Sequence, residues 1–180
     1  MPTTPALLPG SSVSEAGPEA NWTGAGNALT DNQSYATIQA LTETDTDFLL
    51  LTDYGFALPA GDQIDGVQVW IESKCSLSNR CSLPDIQLRF GGVKVGTSKS
   101  SAFLSTTEGF VGYGSETDDW GAGLSGAQVN DPSFGVAIQG RVSTGSPSAT
   151  LSIDVVQIML THSTPPFNIR TLAYHHRQRN

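Results

Sequence analysis

Hydrophobic and polar residues alternate along several short stretches of the chain. The clearest stretch spans residues 64–74. Its two sides differ in character, with Val67, Val69 and Ile71 on one and Gln68, Trp70 and Glu72 on the other. A period of two residues is typical of a β-strand that buries one face. This stretch therefore predicts a strand whose tryptophan points away from the core.

Other stretches predict further strands. Residues 86–90 alternate as cleanly, and Gly91 and Gly92 then predict a hairpin into residues 93–95. The compact apolar run 47–52 predicts a strand that is buried on both faces. Shorter strands are predicted at 35–38 and 134–139, whereas residues 97–128 predict one or two weak strands and a long loop.

The last predicted strand spans residues 149–161 and is the longest. Strict alternation gives it two faces: Leu151, Ile153, Val155, Gln157 and Met159 on one, and Ser152, Asp154, Val156, Ile158 and Leu160 on the other. Both faces become apolar toward the end, which indicates a central strand.

Composition agrees with short strands joined by turns. The chain has 180 residues, of which only 14% are charged, with 19 glycines and 10 prolines. It is long enough for one well-buried core, and no amphipathic helix stands out. We therefore predict an all-β fold, an antiparallel β-sandwich of jelly-roll type with seven to nine strands.

Both ends of the chain differ in amino-acid composition from the predicted sandwich. We predict an extended N-terminal arm at residues 1–20, the sandwich at 21–163 and a basic C-terminal arm at 164–180. Polar arms without a core order mainly against a partner, so we expect both to bind other proteins. The side chains predicted to make these contacts are Leu7, Leu8, Val13, Phe167, Ile169, Arg170, Leu172, Tyr174 and Arg177.

The charge of the chain narrows the range of partners. The net charge is -8, which argues against binding to nucleic acid or to an anionic membrane, because both need clustered Lys and Arg. No apolar run is long enough for a membrane helix. The first nine residues lack the basic and apolar regions of a signal peptide, so we expect synthesis in a cytoplasm.

Candidate chemistry is sparse. All three histidines lie in the last 19 residues, so a nucleophile–histidine arrangement would need one from the tail. Two acid pairs, Asp45 with Asp47 and Asp118 with Asp119, match the needs of a glycosidase or a calcium site. Acids in such polar loops are more often turn residues, and we predict neither an enzyme, nor a cofactor, nor a metal.

The tryptophans and cysteines leave alternatives open. Trp70 and Trp120 are candidates for exposed contacts, including stacking on sugars, while packing against the sandwich or a subunit is the more common role of such residues. Trp22 and Trp120 are also predicted to fill the ends of the core.

Cys75 and Cys81 suit either a disulfide that closes a loop or two free thiols, and we expect free thiols because we expect a cytoplasmic product. Zinc is not predicted, since no other ligand lies near.

The order of several motifs resembles small β-sandwich structural proteins of tailed-bacteriophage virions. The resemblance covers about residues 21–161 and leaves out both arms and the loop between the cysteines. Its pieces are Trp22 with Asn27–Ala28 and Asp31, Gly55–Gly61 leading into Ile64–Val69, Leu88 with Gly91–Gly92 and Val95–Gly96, Tyr113–Gly114 with Thr117–Asp118 and Trp120–Gly121, Val129–Val136, and Ile153–Ile158.

This resemblance implies a virion structural role without enzymatic activity. The leading hypothesis is a capsid decoration, or cement, protein on the head surface. It would be a homo-oligomer, with a trimer favoured, and its arms would clamp neighbouring copies of the major capsid protein or another virion protein. The alternative is a tail or fibre component that binds host glycans through Trp70 or Trp120. A carbohydrate-acting enzyme is the third and weakest hypothesis.

Overall fold

A computed structural model describes residues 1–165, which form two antiparallel sheets packed face to face. This confirms the predicted β-sandwich. A 3-10 turn spans Ala25–Ala28, and a one-turn helix, α1, spans Gly126–Val129. The strands are β1 Ser11–Ser14, β2 Ala36–Ala40, β3 Thr44–Asp45, β4 Leu49–Thr52, β5 Gln63–Cys75, β6 Cys81–Phe90, β7 Val93–Lys99, β8 Gly109–Ser115, β9 Gly135–Val142 and β10 Ala149–Ser163.

The strand order is that of a jelly roll. The smaller sheet has the order β2-β10-β5-β8, and the larger has β1-β4-β9-β6-β7, with the short β3 also paired to β9. If β1 and β3 are left out and the remaining eight strands are renumbered 1 to 8 along the chain, the smaller sheet has the order 1-8-3-6 and the larger has 2-7-4-5. Consecutive strands then lie in opposite sheets except for the β6–β7 hairpin, as two wound Greek keys require.

The core lies between the sheets and uses the predicted inner positions. Val67, Val69 and Ile71 of β5 are fully buried, and Trp70 points to the opposite side. The predicted hairpin is present, with both Gly91 and Gly92 at positive φ in the turn between β6 and β7. Positive φ at both central residues suits a two-residue hairpin loop, which explains the Gly-Gly pair.

The two faces of β10 differ from the prediction. The pairing of β10 with β5 shifts register between Ile153 and Val155, so a β-bulge lies at Asp154. The bulge inserts one residue and exchanges the faces beyond it. Leu151 and Ile153 therefore share the core with Val156, Ile158 and Leu160, whereas Gln157 and Met159 are only partly buried. The predicted grouping of Gln157 and Met159 with Leu151 is wrong. The predicted central position of the strand is confirmed.

The cysteines form a disulfide, so the expectation of free thiols is wrong. Cys75 ends β5 in the smaller sheet, and Cys81 begins β6 in the larger sheet. Their Cα atoms are 5.7 Å apart, and both residues are fully buried. The sequence separation of six residues permits either state. The close approach of the two strand ends, where the chain crosses between the sheets, brings the thiols together.

Residues 1–14 lie along the sandwich of their own chain. The Leu7 amide donates to the Ile158 carbonyl, and the Ile158 amide donates back to Leu7, at 2.9 and 3.1 Å. This segment thus lies on the same edge of β10 as β2, beside the second half of β10. The chain then forms β1, which pairs with β4 in the other sheet. Leu7 packs against the core of its own chain, while the predicted contact residues Leu8 and Val13 are 42% and 53% exposed.

Candidate functional site

The acid pairs proposed for chemistry have structural roles in the described chain. The Asp45 carboxylate accepts two hydrogen bonds from Arg141, at 2.6 and 2.8 Å, and this guanidinium lowers the pKa of Asp45. Asp47, two residues along, accepts instead from the backbone amides of Gly17 and Glu19, at 3.0 and 3.1 Å. The two carboxylates serve different partners, so they form no facing pair for glycoside hydrolysis.

The second pair, Asp118 and Asp119, also has structural hydrogen-bond partners. Asp118 accepts from Lys99 Nζ at 2.6 Å and from the Trp120 amide at 2.9 Å, and the Lys99 contact lowers the pKa of Asp118. Asp119 accepts from the Gly121 amide at 2.9 Å, as in an Asx turn. Both aspartates therefore fix the loop that carries Trp120.

The tryptophans separate into two buried residues and one exposed residue. Trp120 is fully buried, with its Nε1 donating to the Val67 carbonyl at 2.9 Å. The prediction that Trp120 fills the core is therefore confirmed, and the alternative of an exposed contact is wrong. Trp22 is also buried and donates to the Asp47 carbonyl at 2.9 Å. Trp70 is 36% exposed on the outer face of the smaller sheet. The period-two pattern places Trp70 correctly, whereas Trp120 follows a polar loop whose packing the pattern does not show.

Trp70 lies in a shallow groove of about 390 Å³. Its walls come from three strands and the N-terminal segment: Ala6, Gln68, Trp70, Phe110, Gln157 and Met159. We call this surface the Trp70 groove. The sequence indicated only Trp70. Gln157 and Met159 reach the groove because of the bulge at Asp154, and Ala6 reaches it because the N-terminal segment docks on β10.

A cluster of carboxylates adjoins the Trp70 groove. Oxygen atoms of Asp31, Glu72 and Asp154 lie within 4.8 Å of one another. Asp154 is 1% exposed and accepts from the Gln33 amide at 2.8 Å, so its carboxylate holds the loop that precedes β2. Acids often cluster without an ion, and we assign no metal here. The consequence that the structure supports is a concentration of negative charge beside the groove.

The two ends of the described chain meet at one pole of the sandwich. The His162 amide donates to the Pro2 carbonyl at 3.1 Å. His162 Nδ1 lies 2.7 Å from the buried Asp62 carboxylate, and the Thr164 hydroxyl donates to Asp62 at 3.1 Å. The Ser163 hydroxyl donates to Asp65, also at 3.1 Å. We call this region the terminal pole. Its side-chain contacts fix the direction in which the chain leaves β10.

The predicted C-terminal contact residues lie outside the described residues. They are Phe167, Ile169, Arg170, Leu172, Tyr174 and Arg177. All of them follow the terminal pole in sequence. Among the residues that the structure describes, no helix is both long and apolar enough to cross a membrane.

Comparison with known proteins identifies no family for this chain. No protein-family model matches the sequence. No curated protein matches it either. A solved structure described as "CBM4 structure and function" aligns over 82% of this chain and 91% of that chain, with 12% sequence identity and a TM-score of 0.41. At this TM-score and identity, no conclusion about fold or function follows from the likeness.

Proposed function

We propose that this chain is a non-enzymatic structural protein of a tailed-phage virion, a capsid decoration protein attached through its terminal pole. The observation that carries the proposal is the junction of both chain ends at this pole, where His162 contacts Pro2. A basic segment follows directly in the sequence. The ordered motif resemblance over residues 21–161 supports the virion setting.

The charge distribution suits attachment through the C-terminal segment. All 17 acidic residues precede residue 166, whereas Arg170, Arg177 and Arg179 follow it with no acid among them. This segment contains both cationic and apolar side chains, so it matches an acidic groove with apolar pockets on a neighbouring virion protein. Since Asp62 and Asp65 fix the start of the segment, every copy presents it from the same place.

The N-terminal segment has a different part in this proposal. Residues 2–7 pair with β10 of their own chain, so attachment falls mainly to the C-terminal segment. The exposed side chains of Leu8 and Val13 remain candidates for a lesser contact. Attachment of one copy through a single short segment is weak, and many copies on a symmetric shell compensate through avidity.

Assembly as a homo-oligomer, with a trimer favoured, is part of the proposal. A cleft of about 700 Å³ opens beside β8. Phe103 and Val111 on its walls are 54% and 45% exposed. The edge of β8 that faces away from β5 has no strand partner among the described strands. Such an apolar edge suits contact with a second copy.

The test is binding to capsids that lack this protein. The full chain is mixed with purified capsids, and co-sedimentation gives the number of bound copies. We expect saturation at a fixed ratio to the major capsid protein, and a loss of attachment of about tenfold or more for a chain that ends at residue 165. That chain keeps every described strand, because β10 ends at Ser163.

The control variant is Val93→Ala, which removes a 62% exposed side chain from the β6–β7 hairpin. We expect it to attach like the unaltered chain. Attachment of the shortened chain at the same ratio and affinity would overturn the proposed role of the C-terminal segment. Absence of saturable binding by the full chain would overturn the decoration role itself.

A further inference from the structure

The outer face of the smaller sheet has an ordered arrangement around Trp70. In the register of the sheet, Trp70 on β5 lies between Gly112 on the edge strand β8 and Gln157 on the central strand β10. The next row holds Gly114, Gln68 and Met159. Two adjacent rows thus combine one large aromatic side chain, two amides and two glycines.

The Trp70 indole lies flat on the sheet. A Cβ atom placed on Gly112 would be 3.0, 3.0 and 3.1 Å from Cη2, Cζ3 and Cε3 of Trp70, three consecutive atoms of the six-membered ring. A point at nearly equal distances from three such atoms lies close to the axis through the ring centre. One face of the ring therefore covers Gly112, and the opposite face is directed to the groove. Any side chain at position 112 would lift the ring.

Amide groups border this aromatic platform. Gln157 lies opposite Trp70 in register, and Gln68 lies two residues before it on the same strand. Neither side-chain amide is hydrogen-bonded to another residue that the structure describes, and both side chains are partly exposed in the groove. Each amide offers both donors and an acceptor, a set that matches the hydroxyl groups of a sugar. Phe110 and Met159 supply the apolar margin.

Charge beside the groove selects among sugars. Glu72 lies opposite Phe110 in register, and its carboxylate is close to those of Asp31 and Asp154. The ammonium group of the nearby Lys74 already has two partners: Lys74 Nζ lies 2.7 Å from the Tyr35 hydroxyl and 3.5 Å from Oε2 of Glu108. Excess negative charge repels acidic sugars, whereas a neutral sugar meets only the aromatic ring and the amides.

We propose that the Trp70 groove binds a neutral glycan. A pyranose ring stacks its C–H face on the open face of Trp70, and its hydroxyl groups bond to Gln68 and Gln157. The proposal concerns binding alone and assigns no catalytic role to the carboxylates beside the groove. The inference is independent of attachment to a capsid, because the groove faces outward from the sheet and the terminal pole lies at the end of the sandwich.

Tryptophan fluorescence gives a direct test. The chain has three tryptophans, and Trp22 and Trp120 are buried, so changes caused by a surface ligand arise mainly from Trp70. The full chain is titrated with oligosaccharides of glucose, mannose, galactose and N-acetylglucosamine, and with oligogalacturonate as the acidic counterpart. We expect saturable changes with at least one neutral series and none with oligogalacturonate.

Variants then separate the roles of the residues, with affinity measured by calorimetry. Trp70→Ala should weaken binding by about tenfold or more, as the loss of a central aromatic contact usually does. Gly112→Ala should weaken it while Trp70 itself is retained, because the added methyl group lifts the ring. Val93→Ala, on the other sheet, should bind like the unaltered chain.

Three results would overturn the proposal. The first is an absence of binding to every neutral series. The second is equal affinity of the Trp70→Ala chain, measured after circular dichroism has shown that it folds. The third is a loss of oligomerisation or of capsid attachment, with no glycan bound, in the Trp70→Ala chain, which would make the groove a protein interface.

Discussion

Glu72 illustrates how a single residue responds to the sheet around it. Its side chain is partly buried on the outer face of β5, and its Oε2 atom is buried without a hydrogen-bond partner among the described residues. Burial raises the pKa of Glu72, and the negative charges of Asp31, Glu108 and Asp154 raise it further. Relative to the unfolded chain, the folded protein therefore shifts this carboxyl group toward its protonated form.

We expect Glu72→Gln to stabilise the protein at neutral pH. A carboxyl group whose pKa is raised by folding contributes stability below its unfolded pKa, and that contribution is lost as the pH rises through the folded pKa. The glutamine side chain of the variant carries no charge, so the variant does not lose this stability as the pH rises. Thermal unfolding should show a gain of about 1–3 °C at pH 7 that disappears toward pH 4.

The control for this prediction is Glu116→Gln. It removes the same charge from an exposed loop position after β8, outside the cluster. A gain of equal size in both variants would show that net charge, and not the local cluster, is responsible. No gain at pH 7 in Glu72→Gln would contradict the raised pKa.

At the scale of elements, the disulfide joins the two layers of the sandwich. Cys75 and Cys81 lie at adjoining ends of β5 and β6, which belong to different sheets. The loop between them is further tied down by Arg80, which donates to the carbonyls of Ser143 and Gly145, at 2.8 and 2.9 Å. This end of the sandwich, opposite the terminal pole, is therefore held covalently and by hydrogen bonds.

We expect the variant with both Cys75→Ala and Cys81→Ala to fold but to lose about 2 kcal/mol in the free energy of unfolding. The reason is that a cross-link over a short loop restricts the unfolded chain only modestly. Urea unfolding with and without reductant measures the effect. The reduced wild-type chain should approach the variant. Equal stability of the oxidised and reduced chains would contradict the prediction.

Strand predictions succeeded where pairing is regular. The alternation in β5 correctly assigned Val67, Val69 and Ile71 to the core, and Gly91–Gly92 correctly indicated the hairpin. The alternation in β10 failed beyond Asp154, because a bulge exchanges the faces and no local pattern marks it. At the bulge, the Asp154 carboxylate accepts a hydrogen bond from the amide of Gln33, a residue 121 positions away in sequence.

At the scale of the whole molecule, the N-terminal segment closes one side of the sandwich. It pairs with the second half of β10 and, through β1, with β4, so it covers strand edges of both sheets. Unpaired edges promote association with other chains. The segment is therefore a structural part of the jelly roll as well as the wall of the Trp70 groove at Ala6.

We expect deletion of residues 1–10 to destabilise the sandwich by about 2–4 kcal/mol, because several backbone hydrogen bonds to β10 and Thr52 are lost. Urea unfolding measures the change, and light scattering should show increased aggregation. Leu8→Ala, which truncates an exposed side chain in the same segment, should stay within about 0.5 kcal/mol. Unchanged stability of the shortened chain would instead favour a free arm.

The amino-acid sequence by itself determined the fold class, the main strands and the outward position of Trp70. It could do so because alternation is local: each residue's face follows from its neighbours in an extended backbone. The tertiary structure decided four further features: the disulfide, the hydrogen-bond partners of the two aspartate pairs, the burial of Trp120 and the composition of the Trp70 groove. Each of these depends on which distant strand lies alongside, and the close packing of Trp70 on Gly112 exists only once β5 and β8 pair.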